Sequence, residues 1–274
     1  PSDGTTGTAP STLTLQASAS DPEGAVRSVS FYNGAVKLGE DTSAPYEFEW
    51  TDVPAGAHFL YAKVTDEGGK TATSRATEVT MSSPDAPTNG VHYTYVEGDW
   101  SGLPDFRAEP PTKAGTASNV TLSIRDRDDN FAARYVSYVD IPSSATGSYT
   151  FYTTSDDGSR LLVNGTEVVD NGGLHAAEEQ SGSVSLSEGW QKIVVEYVEA
   201  TGEQTLSVSW AGPSFSKETI PSSRLFLAPA AGGPTQSIAL NPGWNVISSH
   251  VKPSSAALDS VFANVSVALV KDEN

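Results

Sequence analysis

The stretch TTSDDGSRLLVNG, Thr153 to Gly165, decides how the rest of the chain is interpreted. It places two adjacent carboxylates, Asp156 and Asp157, at the tip of a loop, directly before the strand-like run SRLLV. Two interpretations are open. In the first, Asp157 caps a tight turn in which Gly158 supplies a positive φ angle. In the second, both carboxylates bind a metal ion, because oxygen-rich loops suit hard cations.

Alternation of apolar and polar residues dominates the sequence on both sides of this stretch. Runs such as NFAARYVSYVDIP, GSYTFYTT and QKIVVEYV are rich in β-branched and aromatic residues, and Gly, Pro and Asn-Gly signals separate them. Asn164-Gly165 marks a hairpin tip between two of these runs. The pattern predicts an all-β chain built of tandem β-sandwiches.

Composition divides the chain into three β units and two linkers. SSPDAPTNG and APAAGGPT have the small, Pro-rich and Gly-rich composition of linkers. The predicted bounds are a first sandwich at 1–82, a linker at 83–90, a second sandwich at 91–228, a linker at 229–236, and the start of a truncated β module at 237–274.

Charge and composition exclude several classes of partner. Sixteen Lys and Arg against 34 Asp and Glu give a net charge of −18, which repels nucleic-acid phosphates and anionic lipids. With no cysteine there is neither disulfide nor thiolate chemistry. The longest apolar run, near KIVVEYV, is too short for membrane insertion. We expect an exported bacterial protein, extracellular or on the cell surface, and monomeric.

The sequence contains no recognisable catalytic constellation. It has no H-E-x-x-H zinc motif, no G-x-S-x-G nucleophile elbow and no phosphate-binding glycine loop. Its four histidines are scattered over three units at positions 58, 92, 175 and 250. We therefore expect these units to be non-catalytic accessory domains, although the full-length protein could be an enzyme.

Two segments resemble known families. The run ASDPEGAVRSVSFYNGAVKLGEDTSAPYEFEW and its continuation resemble the bacterial immunoglobulin-like repeat of secreted polysaccharide-degrading enzymes and adhesins. The SDDGSRLLVNG core, VVDN and a later Y-x-E-x-x-G resemble the domain first described in anthrax protective antigen, which flocculin-type adhesins and glycosidases share. The second resemblance covers 91–228 and implies a β-sandwich.

The protective-antigen resemblance also implies a metal site. Adhesins of that family hold one calcium ion between adjacent aspartates joined by a cis peptide bond, and sugar hydroxyls bind the ion. Carried over to this sequence, the pair is Asp156 and Asp157. Further ligand oxygens are expected from Asn171 in VVDNGG, or from Glu203 and Gln204 in EATGEQT.

Other candidate residues carry weaker signals. His175 follows DNGGL as in the family pattern, and we expect it to support the Asp-Asp loop. The run RDRDDN, Arg125 to Asn130, lacks the glycine and the distant glutamate of an EF-hand, so we interpret it as a solvated loop. Trp190 and Trp210 lie in strand patterns and are expected in the core.

Together these residues predict an extracellular carbohydrate-binding or adhesion module, in which calcium held by Asp156 and Asp157 binds the hydroxyls of a glycan or polysaccharide. The alternative is a structural accessory or spacer region of a secreted polysaccharide-degrading enzyme or adhesin, with no ligand of its own. A third interpretation is a protein-binding adhesion module. A polar, metal-centred pocket would favour the first interpretation, and an apolar patch across the Asp-Asp loop would favour docking.

Overall fold

The computed structural model describes residues 1–21 and 24–231, and residues 1–231 form one compact unit. This part of the chain is nearly all strand, which confirms the predicted all-β class. Three single-turn 3-10 helices interrupt the strands at Leu122–Ile124, Ser143–Ala145 and Ser222–Arg224. The predicted β module at 237–274 and most of the second predicted linker lie outside the described residues.

The first domain contains eight strands in two sheets. They are β1 Thr5–Thr8, β2 Ser11–Ala17, β3 Val26–Asn33, β4 Val36–Asp41, β5 Tyr46–Val53, β6 Gly56–Asp66, β7 Thr71–Thr73 and β8 Thr77–Ser82. One sheet has the order β1-β8-β6-β3-β4, with β7 also pairing with β6, and the other consists of β2 and β5. Their inward side chains, including Leu15, Phe31 and Val79, form a separate core.

The second domain is a two-sheet sandwich of ten strands. They are β9 Val91–Glu97, β10 Lys113–Ala117, β11 Phe131–Ile141, β12 Gly147–Asp156, β13 Ser159–Val163, β14 Thr166–Asn171, β15 Glu178–Leu186, β16 Gly189–Glu199, β17 Thr205–Gly212 and β18 Phe215–Thr219. The larger sheet has the order β10-β9-β11-β16-β13-β14, and the smaller has the order β15-β12-β17-β18.

The core of the second domain follows from the alternation in its strands. Inward positions of β12 and β16 carry Tyr149, Phe151, Val195 and Tyr197, all buried between the sheets. Trp210 is 2% exposed and packs in tilted contacts against the Tyr149 and Phe151 rings, which confirms its expected core position. Burying this many aromatic rings supplies much of the apolar contact that stabilises a sandwich.

The hairpin predicted at Asn164-Gly165 joins β13 to β14. Both residues have positive φ angles, 50° and 82°, as a two-residue type I′ turn requires. Asn164 also fixes the neighbouring strand, because its backbone N–H donates to the Lys192 carbonyl at 2.8 Å. The turn therefore sets the register of the strand that follows the Asp-Asp loop.

The segment predicted as a linker at 83–90 is hydrogen-bonded at both of its ends to residues 225–231. Ser83 N–H donates to the Pro229 carbonyl at 2.8 Å, and Leu227 N–H donates to the Thr88 carbonyl at 2.9 Å. Gly90 N–H donates to the Leu225 carbonyl at 2.9 Å. Composition alone predicts a tether, whereas these contacts make the segment part of the folded unit.

Buried charges join the two domains. Glu78 on β8 is 4% exposed and accepts hydrogen bonds from Arg134 on β11, at 2.8 Å, and from Lys192 on β16. Arg134 also donates to Glu196 at 3.1 Å. Beside this network Thr80 and Tyr138 share a hydroxyl hydrogen bond of 2.8 Å. The first domain is therefore attached to the second by specific contacts as well as by the chain.

Candidate functional site

The sandwich core changes from apolar to polar at one end of the second domain. Along β12 the inward residues change from Tyr149 and Phe151 to Thr153 and Ser155, and on β16 they end with Glu199. The neighbouring strands end in the same way. The buried polar side chains of this end are Thr153, Ser155, Asp157, Ser159, Asn171 and Glu199.

The Asp-Asp loop lies on top of this polar layer, between β12 and β13. The peptide bond between Asp156 and Asp157 is cis, as the resemblance implies. Asp157 is buried, with 6% of its surface exposed, and Asp156 is partly exposed. The loop therefore presents one carboxylate from beneath the surface and one at the surface.

Backbone N–H groups from two further loops orient these carboxylates. Asp157 accepts hydrogen bonds from His175 N–H and Ala200 N–H, one at each carboxylate oxygen and each at 2.9 Å. Asp156 Oδ2 accepts from Ala177 N–H at 3.0 Å. The donors belong to residues 171–178 and 200–204, which we call the first and second rim loops. Hydrogen bonds to an ionised carboxylate are stronger than neutral ones, so they fix both rim loops to the site.

Glu199, at the end of β16, is the third carboxylate. It is fully buried, and its Oε2 accepts from Tyr197 OH at 2.7 Å and from Asp157 N–H at 3.2 Å. Its Oε1 is buried and has no hydrogen-bond partner among the described residues. Burial, with the neighbouring Asp157 and Asp156 charges, raises the pKa of Glu199 to about 7. A buried, unsatisfied carboxylate oxygen is costly unless a cation or proton accompanies it.

The three carboxylates form a cluster that could hold a cation. Asp156, Asp157 and Glu199 each offer an oxygen, and these oxygens lie within 4.8 Å of one another. Three carboxylates at this separation repel one another and favour a bound cation or proton. Calcium prefers oxygen ligands in flexible geometry, so these donors and the unpartnered Glu199 Oε1 fit calcium.

Two of the predicted site residues are hydrogen-bonded to the Asp-Asp loop or to the polar layer beneath it. Asn171 is buried, and its Nδ2 donates to Ser155 Oγ at 2.9 Å, while its Oδ1 has no partner among the described residues. His175 contacts the Asp-Asp loop through its backbone N–H, which donates to Asp157 Oδ1 at 2.9 Å. Its ring nitrogens lie 3.0 Å and 3.1 Å from the carbonyl oxygens of Ala176 and Asn171.

The other predicted ligands lie in the second rim loop. Glu203 is exposed and is not one of the three clustered carboxylates. Gln204 donates from Nε2 to the Gly202 carbonyl at 2.5 Å. The strand pairing brings Thr205 opposite Asp156, so this loop ends next to the Asp-Asp loop. Glu203 and Gln204 directly precede Thr205 in the chain.

The RDRDDN loop is a set of surface ion pairs. Asp126 pairs with Lys113 at 2.7 Å, and Asp128 pairs with Arg125 at 3.2 Å. Each aspartate is at least half exposed. These pairs agree with the interpretation of this run as a solvated loop.

Sequence reasoning missed Glu199 as a ligand candidate. The sequence does contain a signal for it. In QKIVVEYVE every second residue points into the core, and Glu199 occupies such an inward position in line with Val195 and Tyr197. A carboxylate at a core position of a strand requires a partner. That partner could be named only once the fold had placed β16 beside the Asp-Asp loop.

The fold and the site define a two-sheet β-sandwich with a carboxylate cluster on its loops. The chain belongs to the PA14 domain family, which matches residues 87–224, and a bacterial Ig domain matches residues 1–62. Both predicted families are thereby confirmed.

Several known proteins are similar to this chain. A curated relative, the anti-sigma-I factor RsgI3 of Acetivibrio thermocellus, is 35% identical over 99 residues, which are 36% of this chain and 15% of the relative. A solved structure of an anti-sigma factor domain-containing protein from Clostridium clariflavum is 15% identical, with a TM-score of 0.41, over 78% of this chain and 83% of that one. The PA14 sugar-binding domain from an RTX adhesin is 16% identical, with a TM-score of 0.42, over 52% of this chain and 99% of that one.

Among the described residues, no helix has the length and apolar character that crossing a bilayer requires.

Proposed function

We propose that the second domain is a calcium-dependent carbohydrate-binding module of an extracellular or cell-surface protein, without catalytic activity of its own. The observation that carries this proposal is the buried, unpartnered Oε1 of Glu199 beside Asp156 and Asp157. A cation at the cluster would satisfy that atom and relieve the repulsion among three carboxylates.

Each residue of the site has a definite part in this proposal. Asp156, Asp157 and Glu199 supply the carboxylate oxygens, and Asn171 Oδ1 is a further buried, unpartnered acceptor in the polar layer beneath the Asp-Asp loop. The N–H groups of the rim loops hold the aspartates in place before the ion arrives. When bound, a calcium ion supplies coordination positions that can take the hydroxyl oxygens of a sugar diol in place of water.

A binding assay on the whole chain tests the proposal. The wild type is incubated with immobilised polysaccharides and a glycan array, in millimolar calcium or in EDTA. We expect binding that requires calcium and is lost in the double variant Asp156→Asn/Asp157→Asn. The matched control is Asp126→Asn/Asp128→Asn, which removes two carboxylates from an exposed loop and should bind as the wild type does. Glycan binding that persists in EDTA contradicts the proposal.

A second candidate function is regulatory. The observation that favours it is the 35% identity over 99 residues to a curated anti-sigma-I factor, of which this chain spans 15%. In this proposal glycan binding is the input of a signalling protein instead of a means of attachment. Deleting the gene in its native host separates the two functions. A sensor predicts changed transcription in response to the polysaccharide, whereas an attachment module predicts weaker adhesion with transcription unchanged.

A further inference from the structure

The rim loops carry few charges, and none of these is a lysine or an arginine. Residues 171–178 read NGGLHAAE and residues 200–204 read ATGEQ, so the charged groups on the rim are Glu178, Glu203 and any positive charge on His175. The His175 ring is engaged by two carbonyl oxygens of its own loop. Nearby, Lys217 is engaged by both carboxylate oxygens of Glu179 at 2.6 Å. Neither rim loop itself therefore offers a lysine or an arginine to an anionic ligand.

The cluster itself keeps a negative charge when it is loaded. Three carboxylates carry three negative charges and one divalent cation supplies two positive ones, which leaves a net charge of −1 at the site. Glu178 and Glu203 on the rim add to this field, and a His175 imidazolium would offset only one of them. Like charges at close range disfavour binding. A sugar carboxylate, sulfate or sialic acid would be repelled.

The first rim loop also carries one large, exposed apolar side chain. Leu174 is 46% exposed, and the other large exposed hydrophobic residue among the described residues is Val36 in the first domain, at 63%. Leu174 follows Gly172-Gly173 and directly precedes His175, whose N–H is bonded to Asp157. Leu174 is thus one residue away from a backbone contact with the cluster, and its exposed side chain is available to cover the C–H face of a sugar ring.

We propose that this site selects uncharged saccharides, with excess negative charge excluding acidic sugars and Leu174 contacting the apolar face of the bound ring. This inference rests on the proposed function, because it names the ligand class of that same site. It makes Leu174 a specificity residue that acts without contacting the ion.

The test measures calcium binding and sugar binding separately on the full chain. Calorimetric titration with calcium alone comes first, followed by titration of the calcium-loaded protein with methyl galactoside, methyl mannoside, cellohexaose, sialyllactose and polygalacturonate. We expect at least one neutral probe to bind roughly fivefold or more tightly than either acidic probe. Leu174→Ala should weaken neutral-sugar binding about three- to tenfold at unchanged calcium affinity. The control Val36→Ala should change neither affinity.

A charge variant tests the exclusion of acidic sugars. Glu178→Lys places a cation on the rim and should raise the ratio of acidic-probe affinity to neutral-probe affinity about threefold or more. The control Glu188→Lys makes the same change in the turn between β15 and β16, beyond the far end of β15, and should have no effect.

Three results separate the possible failures. Acidic probes that bind as tightly as neutral ones, or a Leu174→Ala variant with wild-type sugar affinity, overturn the specificity inference. Calcium binding without binding of any saccharide overturns the sugar step of both proposals. A chain that binds no calcium overturns the proposed function itself.

Discussion

Glu78→Gln is expected to destabilise the two-domain unit by about 3–5 kcal/mol, the usual cost of removing one partner from a buried ion pair. The magnitude follows from burial, because the side chains of Glu78 and Arg134 are 5% and 11% exposed. Burial alone would raise the pKa of Glu78, yet Arg134 and Lys192 hold that pKa below its ordinary value. The neutral amide leaves both cations at the domain interface without this counter-charge.

Urea unfolding at neutral pH, followed by tryptophan fluorescence and circular dichroism, measures the effect. The matched control is Asp105→Asn, which breaks another ion pair between the domains, Arg75 with Asp105 at 2.6 Å. Both side chains of that pair are at least half exposed, so its loss should cost less than about 1 kcal/mol. A Glu78→Gln variant as stable as Asp105→Asn would refute the reasoning that the interface depends on buried charge.

Three further predictions follow from the site and the core. Gly158→Ala should lower the free energy of unfolding by about 1–3 kcal/mol and weaken calcium binding, because the new Cβ would lie 2.3 Å from the Gly173 carbonyl oxygen. The control Gly102→Ala has open space around it and should leave both quantities unchanged. Calcium binding at pH 6 should release roughly one proton, because the pKa of Glu199 is about 7 and the ion displaces the proton of this carboxyl. Calorimetry in two buffers measures this release. Without calcium, the stabilisation of the folded state by protonated Glu199 is complete below pH 4.5 and is lost as the pH rises through 7. Trp210→Ala should cost about 3–5 kcal/mol in urea unfolding with calcium affinity retained in the folded protein, since Trp210 lies in the core.

The sequence predicted the fold because its signals are local. Alternation identifies the strands, and Asn164-Gly165 sets a hairpin at the position where the structure has one. Asp156 and Asp157 could be found for the same reason, since they are adjacent and lie in a motif of known resemblance.

The third carboxylate and the domain interface could not be predicted in this way, because they depend on contacts between residues that are distant in the sequence. Glu199 lies 42 residues beyond Asp157, and only the pairing of β13 with β16 brings them together. The contact of Glu78 with Arg134 spans 56 residues and joins two domains. Composition shows neither this contact nor the hydrogen bonds of residues 83–90, and it therefore predicted a free tether there. No periodicity in one sequence reports such pairings.

The central claim is that Asp156, Asp157 and Glu199 hold one calcium ion. Thermal unfolding of the full chain in EDTA and then in calcium, for the wild type and for Asp156→Asn/Asp157→Asn, tests it most directly. At a hundredfold excess over Kd the ion should stabilise the wild type by about 2.7 kcal/mol and leave the double variant unchanged. Equal responses of the two proteins to calcium would contradict the claim and make the Asp-Asp loop a structural turn.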